Sequence, residues 1–270
     1  MKKNIKLVIC DIDSTLVTSD HILTKKTKAV IDALHEQGVY FGIASGRPID
    51  EIAGKAKQWG FDYEFDILIG MNGSELRDNI HHQDYEYYLL KKEWIKEIIA
   101  FMEPFDANYF IYQDGYLLSR RMDDMMKKSA KSSNKEVIVA KGPDAFYERA
   151  NAKIMFRVKE EVMPEIEAYI AKHPNPYYKG FKTQTTLMEF ADGRISKAYA
   201  LERFCELNDL SLQEVAAFGD TTNDNEMIKV SGLGVCMING SDDTKALANE
   251  ITEKSNDEDG LAHYIENHLF

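Results

Sequence analysis

The chain has 270 residues, 44% of them hydrophobic, and a formal net charge of −12 at pH 7. That is enough length for a large core, in one domain or two. The acidic balance argues against nonspecific binding to nucleic acid or anionic membrane, so a small anionic substrate needs a locally positive pocket. No apolar run approaches the about 20 residues of a bilayer span. Met1-Lys2-Lys3 leads only into a short apolar strand, so no signal peptide is expected and the cytoplasm is the expected location. Cys10, Cys205 and Cys236 are an odd number in apolar contexts, as suits reduced core thiols, and the seven histidines form no zinc pattern.

The run Ile5 to Cys10 predicts a strand, and it ends in Asp11-Ile12-Asp13-Ser14-Thr15. Two carboxylates one residue apart repel each other unless a cation or a shared proton relieves them, an arrangement suited to Mg²⁺ chemistry. Asp11 reads as a nucleophile and Asp13 as an acid/base. Lys25 to Gln37 carries the helical stripe Ala29, Val30, Ala33, Leu34, which Gly38 can terminate. A second strand, Val39 to Ala44, runs into Ser45-Gly46-Arg47-Pro48, where a hydroxyl and a glycine amide sit at a turn suited to an anion. With a third strand at Ile67 to Ile69, these elements form a βαβ unit and hence a parallel sheet.

From about Asp84 to Leu187 the texture changes, with the aromatic cluster Tyr85, Tyr87, Tyr88 at its start. Helices are predicted at Glu93 to Met102 and Glu160 to Lys172, strands near Tyr109 to Gln113 and Lys153 to Val158, and a polar loop at Lys127 to Lys135. Pro174 and Pro176 break the chain after the second helix. The segment reads as an inserted second domain. Beyond it, Ser196 caps a helix carrying Ala198, Leu201 and Phe204, and Lys197 stands in its first turn, where a cation opposes the helix dipole and so wants an anion nearby. Val215 to Phe218 and Gly232 to Met237 read as strands, with Met227 and Ile228 on a helix between them. Directly after the first of these comes Gly219-Asp220-Thr221-Thr222-Asn223-Asp224, whose acids suit a hard cation.

These pieces, D-I-D-S-T, S-G-R, a late S-K and G-D-T-T-N-D in this order, resemble the haloacid dehalogenase superfamily. The insert resembles the α/β cap, of the C2B type, found in its Cof-type branch of sugar-phosphate phosphatases. Asn72-Gly73, Met237 with Asn239, and Asp259-Gly260 extend the likeness over the whole chain. The resemblance implies an α/β fold, a doubly wound, Rossmann-like parallel-sheet core over residues 1–83 and 188–270, with the cap at 84–187 acting as a lid that sets specificity. Carried over, Asp11 is the nucleophile and Asp13 the acid/base; Ser45, Gly46, Lys197 and Asn223 bind phosphate. Asp11, Asp13 and Asp220 hold Mg²⁺, with Thr15 and Asp224 in support. Ser14 departs from the usual glycine of D-x-D-G-T.

The implied reaction is hydrolysis of a small phosphorylated metabolite, a sugar phosphate foremost, through an aspartyl-phosphate. A phosphomutase or phosphotransferase using the same intermediate is the alternative, and a noncatalytic binding protein of this fold is a further one. The expected partner is the metabolite alone, with neither nucleic acid nor membrane, in a monomer or small homo-oligomer.

Overall fold

The computed structural model describes residues 4–270. It divides into two compact units, one formed by the chain up to Glu86 and again from Ser196, the other by Tyr87–Ile195. The first unit opens with β1 (Leu7–Cys10), α1 (Lys25–Glu36), β2 (Tyr40–Ala44), the short helices α2 (Ile49–Ile52) and α3 (Lys55–Gln58), β3 (Ile67–Gly70), β4 (Glu75–Asp78) and β5 (Gln83–Glu86). The second holds α4 (Lys92–Phe101), β6 (Asn108–Gln113), β7 (Tyr116–Ser119), α5 (Asp124–Ser133), β8 (Val137–Val139), β9 (Lys153–Arg157), α6 (Met163–Lys172), β10 (Tyr178–Gln184) and β11 (Leu187–Asp192). The chain then completes the first unit with α7 (Lys197–Leu207), β12 (Val215–Gly219), α8 (Asn225–Val230), β13 (Leu233–Cys236), α9 (Asp242–Leu247), β14 (Glu250–Ile251) and α10 (Gly260–His268).

The first unit's sheet runs β14-β13-β12-β1-β2-β3-β4-β5. Pairs from β14 across to β3 are parallel, and β4 and β5 continue the sheet antiparallel. Strands buried on both faces must be apolar throughout, and Leu7–Cys10 is buried at every position. Helices cover the sheet through Ile31 and Leu34 of α1 and Leu261, Tyr264 and Ile265 of α10, packed with Phe41, Phe65 and Phe218. Thr24 starts α1 by accepting a hydrogen bond from Thr27 N at 3.1 Å, and Gly38, at φ +73°, turns the chain out of it.

Chain direction places the chemistry. From β1 the chain moves outward through β2 and β3, and on its return β12 docks on the other flank of β1, pairing Leu7 with Val215 and Cys10 with Phe218. Strand order therefore reverses beside β1. The carboxyl ends of β1, β2 and β12 meet at that switch point, the place where open parallel sheets bind ligands.

The second unit has a six-stranded sheet, β10-β11-β9-β6-β7-β8, antiparallel except for β7 with β8. Ile95 and Ile98 of α4 and Met163 and Ile166 of α6 pack on one face against Ile154, Phe156 and Phe190. Met126 of α5 packs with Phe110, Leu117 and Met155, which share the opposite parity along their strands. Among the described residues, no helix is long and apolar enough to cross a membrane.

Two expectations are corrected here. The polar run Lys127 to Lys135 is not a loop but most of α5, because Asp123 caps it, accepting from Met126 N at 2.9 Å, and Met126 supplies a buried anchor. The expected boundaries at 83/84 and 187/188 also move. β5 pairs with β4 and so stays in the first unit, whereas β11 pairs with β9 and β10 and so belongs to the second.

After β1 the backbone makes a tight turn through Ile12 to Leu16, closed by Val17 N donating to Ile12 O at 3.1 Å. Ser14 sits there at φ +61°, a left-handed conformation that costs an L-residue about 1–2 kcal/mol and a glycine almost nothing. The added chain entropy of glycine offsets part of that gain. Ser14→Gly is therefore expected to raise the unfolding free energy by up to about 1 kcal/mol, read from urea denaturation. A clear loss of stability would show that the serine hydroxyl matters more than the backbone.

Candidate active site

The site begins at the end of β1. Asp11 N donates to Phe218 O at 3.0 Å, so the register of β1 with β12 fixes where the first carboxylate leaves the sheet. Lys197, the first residue of α7, reaches it: Nζ lies 2.5 Å from Asp11 Oδ1 and 2.6 Å from Asp224 Oδ1. Lys197 is wholly buried, as is Asp224, while Asp11 is 8% exposed. Burial alone would lower the lysine's pKa, but Asp11 and Asp224 hold it above its ordinary value, so the ammonium stays charged.

Backbone constraints deliver each partner. Ser196 caps α7 by accepting from Tyr199 N at 3.2 Å, which leaves Lys197 in the first turn. Gly73, at φ +108°, passes so close to that turn that a Cβ would lie 2.0 Å from Ser196 O. Asp224 folds back over the end of β12, its Oδ2 accepting from Asp220 N at 3.0 Å and Thr221 N at 3.2 Å. Gly219 permits this, since a Cβ there would lie 2.5 Å from Asp224 Cγ.

Asp220 completes an acidic cluster. Oxygens of Asp11, Asp220 and Asp224 lie within 4.8 Å of one another. Thr15 Oγ1 donates to Asp220 Oδ1 at 3.0 Å. Burial pushes the Asp220 carboxyl up to about 6, Asp224 adds to the rise, and Thr15 and Lys197 oppose it. Burial likewise pushes Asp11 well above the usual carboxylate range, against the pull of Lys197. Three carboxylates face one ammonium here, a surplus of negative charge that a further cation relieves. Asp224 spends both oxygens on Lys197 and backbone amides. Asp11 Oδ2 and Asp220 Oδ2 accept no hydrogen bond among the described residues, and they suit a hard oxygen-seeking cation.

Of the expected metal set of Asp11, Asp13 and Asp220, the cluster gathers the side chains of Asp11 and Asp220. The side chain of Asp13 stands apart from the cluster and is 43% exposed. Asp13 Oδ2 accepts from Arg47 Nη2 at 3.1 Å, and His21 Nδ1 lies 3.1 Å from Oδ1. The attraction of a guanidinium, set against repulsion from the neighbouring acids, turns the carboxylate outward. Asp224 takes its place in the cluster.

Ser45, Gly46 and Asn223 form a second group around Asn72. Ser45 N donates to Ile69 O at 2.8 Å, Ser45 Oγ accepts from Arg47 N at 3.1 Å, and Asn72 N donates to Ser45 O at 3.0 Å. Asn223 Nδ2 donates to Asn72 Oδ1 at 3.2 Å, which leaves Asn223 Oδ1 buried with no protein partner among the described residues. A Cβ on Gly46 would lie 3.3 Å from Asn72 Oδ1, so the turn is tight against that amide. Arg47 and His21 carry no role in the sequence reading. Arg47 lies within the S-G-R turn, but its partner Asp13 is 34 residues away, and no motif of the sequence includes His21.

The family model for haloacid dehalogenase-like hydrolases matches residues 8–265. Two Bacillus subtilis proteins described as 5-amino-6-(5-phospho-D-ribitylamino)uracil phosphatases are similar throughout. YcsE is 28% identical over 266 residues, covering 97% of this chain and 95% of its own. YitU is 24% identical over 280 residues, covering 97% of each. A haloacid dehalogenase-like hydrolase from Bacteroides thetaiotaomicron shares the fold with a TM-score of 0.83 at 24% identity, over 97% of this chain and 99% of that one. The chain belongs to the haloacid dehalogenase-like hydrolases and, like the phosphatases it matches from end to end, is a hydrolase of phosphate esters.

Proposed function

We propose that the protein is a Mg²⁺-dependent phosphatase of small phosphorylated metabolites that works through an aspartyl-phosphate on Asp11. Phosphate monoesters of sugars and sugar alcohols are its foremost substrate class. The observation that carries this reading is the buried Lys197 ammonium held on Asp11 Oδ1 at 2.5 Å. A carboxylate fixed beside a permanent positive charge is placed to attack an anionic ester, and the same charge suits the phosphoryl oxygens.

In the first step an Asp11 oxygen forms a bond to phosphorus and the bond from phosphorus to the leaving oxygen breaks. Asp13 gives that oxygen its proton. In the second step Asp13 takes a proton from water, whose oxygen attacks phosphorus and releases phosphate from Asp11. Lys197, Ser45 and the Gly46 amide are assigned to the phosphoryl oxygens, and Asn223 to phosphate. Asp224 keeps Lys197 oriented through its 2.6 Å ion pair. Asp11 and Asp220 would hold Mg²⁺, which when bound screens the repulsion between a carboxylate nucleophile and an anionic ester.

Two sequence relatives act on a primary phosphate carried by a ribityl chain, which supports polyol and sugar phosphates as the class to test first. Cys10, Cys205 and Cys236 are buried free thiols, in keeping with a reducing compartment such as the cytoplasm.

A screen of phosphorylated sugars, sugar alcohols and nucleotides with Mg²⁺, scored by released inorganic phosphate, is expected to show turnover that EDTA abolishes and added Mg²⁺ restores. Isomerised sugar phosphate without free phosphate would point to a mutase instead. Asp13→Asn should lower kcat by about 10²-fold or more, as loss of a general acid/base does; near-wild-type turnover would rule out its role. Lys197→Met leaves buried carboxylates unpaired and should cost about 3–5 kcal/mol of stability in EDTA. Urea denaturation measures that loss, and an unchanged midpoint would contradict the ion-pair account.

A further inference from the structure

Asp13 presents a difficulty that the reading above leaves open. An acid/base that serves both a leaving oxygen and a water needs a defined position, yet its side chain is 43% exposed and lies in a turn. A carboxylate so exposed samples several rotamers unless something holds it, and misplacement of a catalytic group by about 1 Å can cost about 10²-fold in rate. Arg47 supplies the hold. Its Nη2 reaches Asp13 Oδ2 at 3.1 Å and Oδ1 at 3.4 Å, and its Nε reaches Oδ2 at 3.4 Å. The planar fork thus contacts both oxygens, a geometry that a lysine does not reproduce.

Arg47 is itself fixed. Its N–H donates to Ser45 Oγ at 3.1 Å, and its carbonyl accepts from Met71 N at 2.9 Å. Pro48 follows it, and Glu51, 7% exposed on α2, places a carboxylate 3.9 Å from Nη1 on the guanidinium's other side. On Asp13's opposite flank stands His21, whose Nδ1 lies 3.1 Å from Oδ1. His21 adopts φ +59° in a loop closed by His21 N on Thr18 O at 2.8 Å and Thr18 N on Ile22 O at 3.0 Å. Ser19 in that loop is tied to Asp257 through its N–H at 2.7 Å and its hydroxyl at 2.8 Å.

We propose that Arg47 is a positioning residue that fixes the rotamer of Asp13, and so the point from which Asp13 exchanges protons, with His21 bounding the other side. This rests on Asp13 being the acid/base. A stabilising role does not account for the arrangement, because ion pairs as exposed as this one, at 24% and 43%, contribute about 0–1 kcal/mol. For the same reason Arg47→Met is expected to fold.

The test is a double-mutant cycle between Arg47→Met and Asp13→Asn, measured on the alkyl phosphate turned over fastest in the screen and on p-nitrophenyl phosphate. Arg47→Met should lower kcat on the alkyl ester about 10- to 100-fold with KM changed by less than about threefold. The phosphorylation burst with p-nitrophenyl phosphate, whose leaving group departs without a proton, should fall much less. The double mutant should be no slower than Asp13→Asn, since a residue acting through Asp13 has nothing left to act on. Arg47→Lys should recover only part of the loss, and it carries the same cycle if Arg47→Met does not fold.

A rise in KM alone would make Arg47 a substrate ligand and overturn the proposal. So would additive losses in the cycle, or equal losses on both esters. An active Asp13→Asn, or wild-type protein that releases no phosphate from any ester, would overturn the acid/base reading itself and the positioning role with it. Additivity on an otherwise crippled Asp13→Asn background overturns the positioning role alone.

Discussion

A buried ammonium is tolerable only where carboxylates surround it, and the environment of Lys197 sets the terms for the whole first unit. Removing an amine and two carboxylates from water is expensive, and their mutual attraction repays it only with close, well-aligned contacts. Those contacts come from three places far apart in the chain: the end of β1, the start of α7 and the loop after β12. Fold and site are therefore coupled. A slip in the pairing of β1 with β12 would move Asp11 away from Lys197 and leave buried charge uncompensated, so the ion pair specifies the register as much as the register positions the ion pair.

The polar loops answer to the same geometry. Gly219 is needed because Asp224 must fold back onto the amides of Asp220 and Thr221, and Gly73 because the β3 end must pass against the first turn of α7. Met71 and Asn72 adopt left-handed conformations at φ +50° and +57° beside it. A run of such residues is costly, and it concentrates where Asn72 joins Ser45 to Asn223. The turn after β1 is braced from a different part of the chain. Asn239 Nδ2 donates to Ser14 O at 2.9 Å and Asn256 Nδ2 to Val17 O at 3.0 Å, while Thr24 meets Asp259 at 2.5 Å. The C-terminal segment thus straps the loop that carries Asp13.

Much of this was legible because parallel strands announce themselves. Leu7–Cys10, Tyr40–Ala44, Ile67–Gly70 and Val215–Gly219 are short, apolar and, Tyr40 aside, buried, and each runs into a turn rich in polar or glycine residues. A local pattern was enough. The insert was harder, since its antiparallel pairs bring together residues with no local signature: β11 belongs with β9 only because Met188 faces Phe156 across the sheet. Helix α5 hid for a different reason. Its periodic core anchor is Met126 within a run of lysines and serines, and such a helix is decided by its Asp123 cap and its tertiary contact rather than by an apolar stripe. Asp13 was legible as a carboxylate but not as a partner of Arg47, because the direction a side chain takes in a tight turn is not written in the spacing of acids.

That direction bears on how an acidic protein handles an anion. With a net charge of −12, the protein as a whole repels phosphate, but beyond about one Debye length of 8–10 Å that repulsion is screened. What counts is the charge within a few ångströms of Asp11. There the acids are not interchangeable. Asp224 is committed to Lys197 and two amides, and Asp13 to Arg47, so neither carries its full repulsion toward an arriving phosphoryl group. Asp11 and Asp220 are left with an oxygen each, and added positive charge there would lower their repulsion toward a phosphate ester. The same neutralisation that makes Lys197 stable in the interior thus leaves Asp11 and Asp220 as the two acids whose charge a cation would offset, and it sets them apart from Asp13, which faces Arg47 instead.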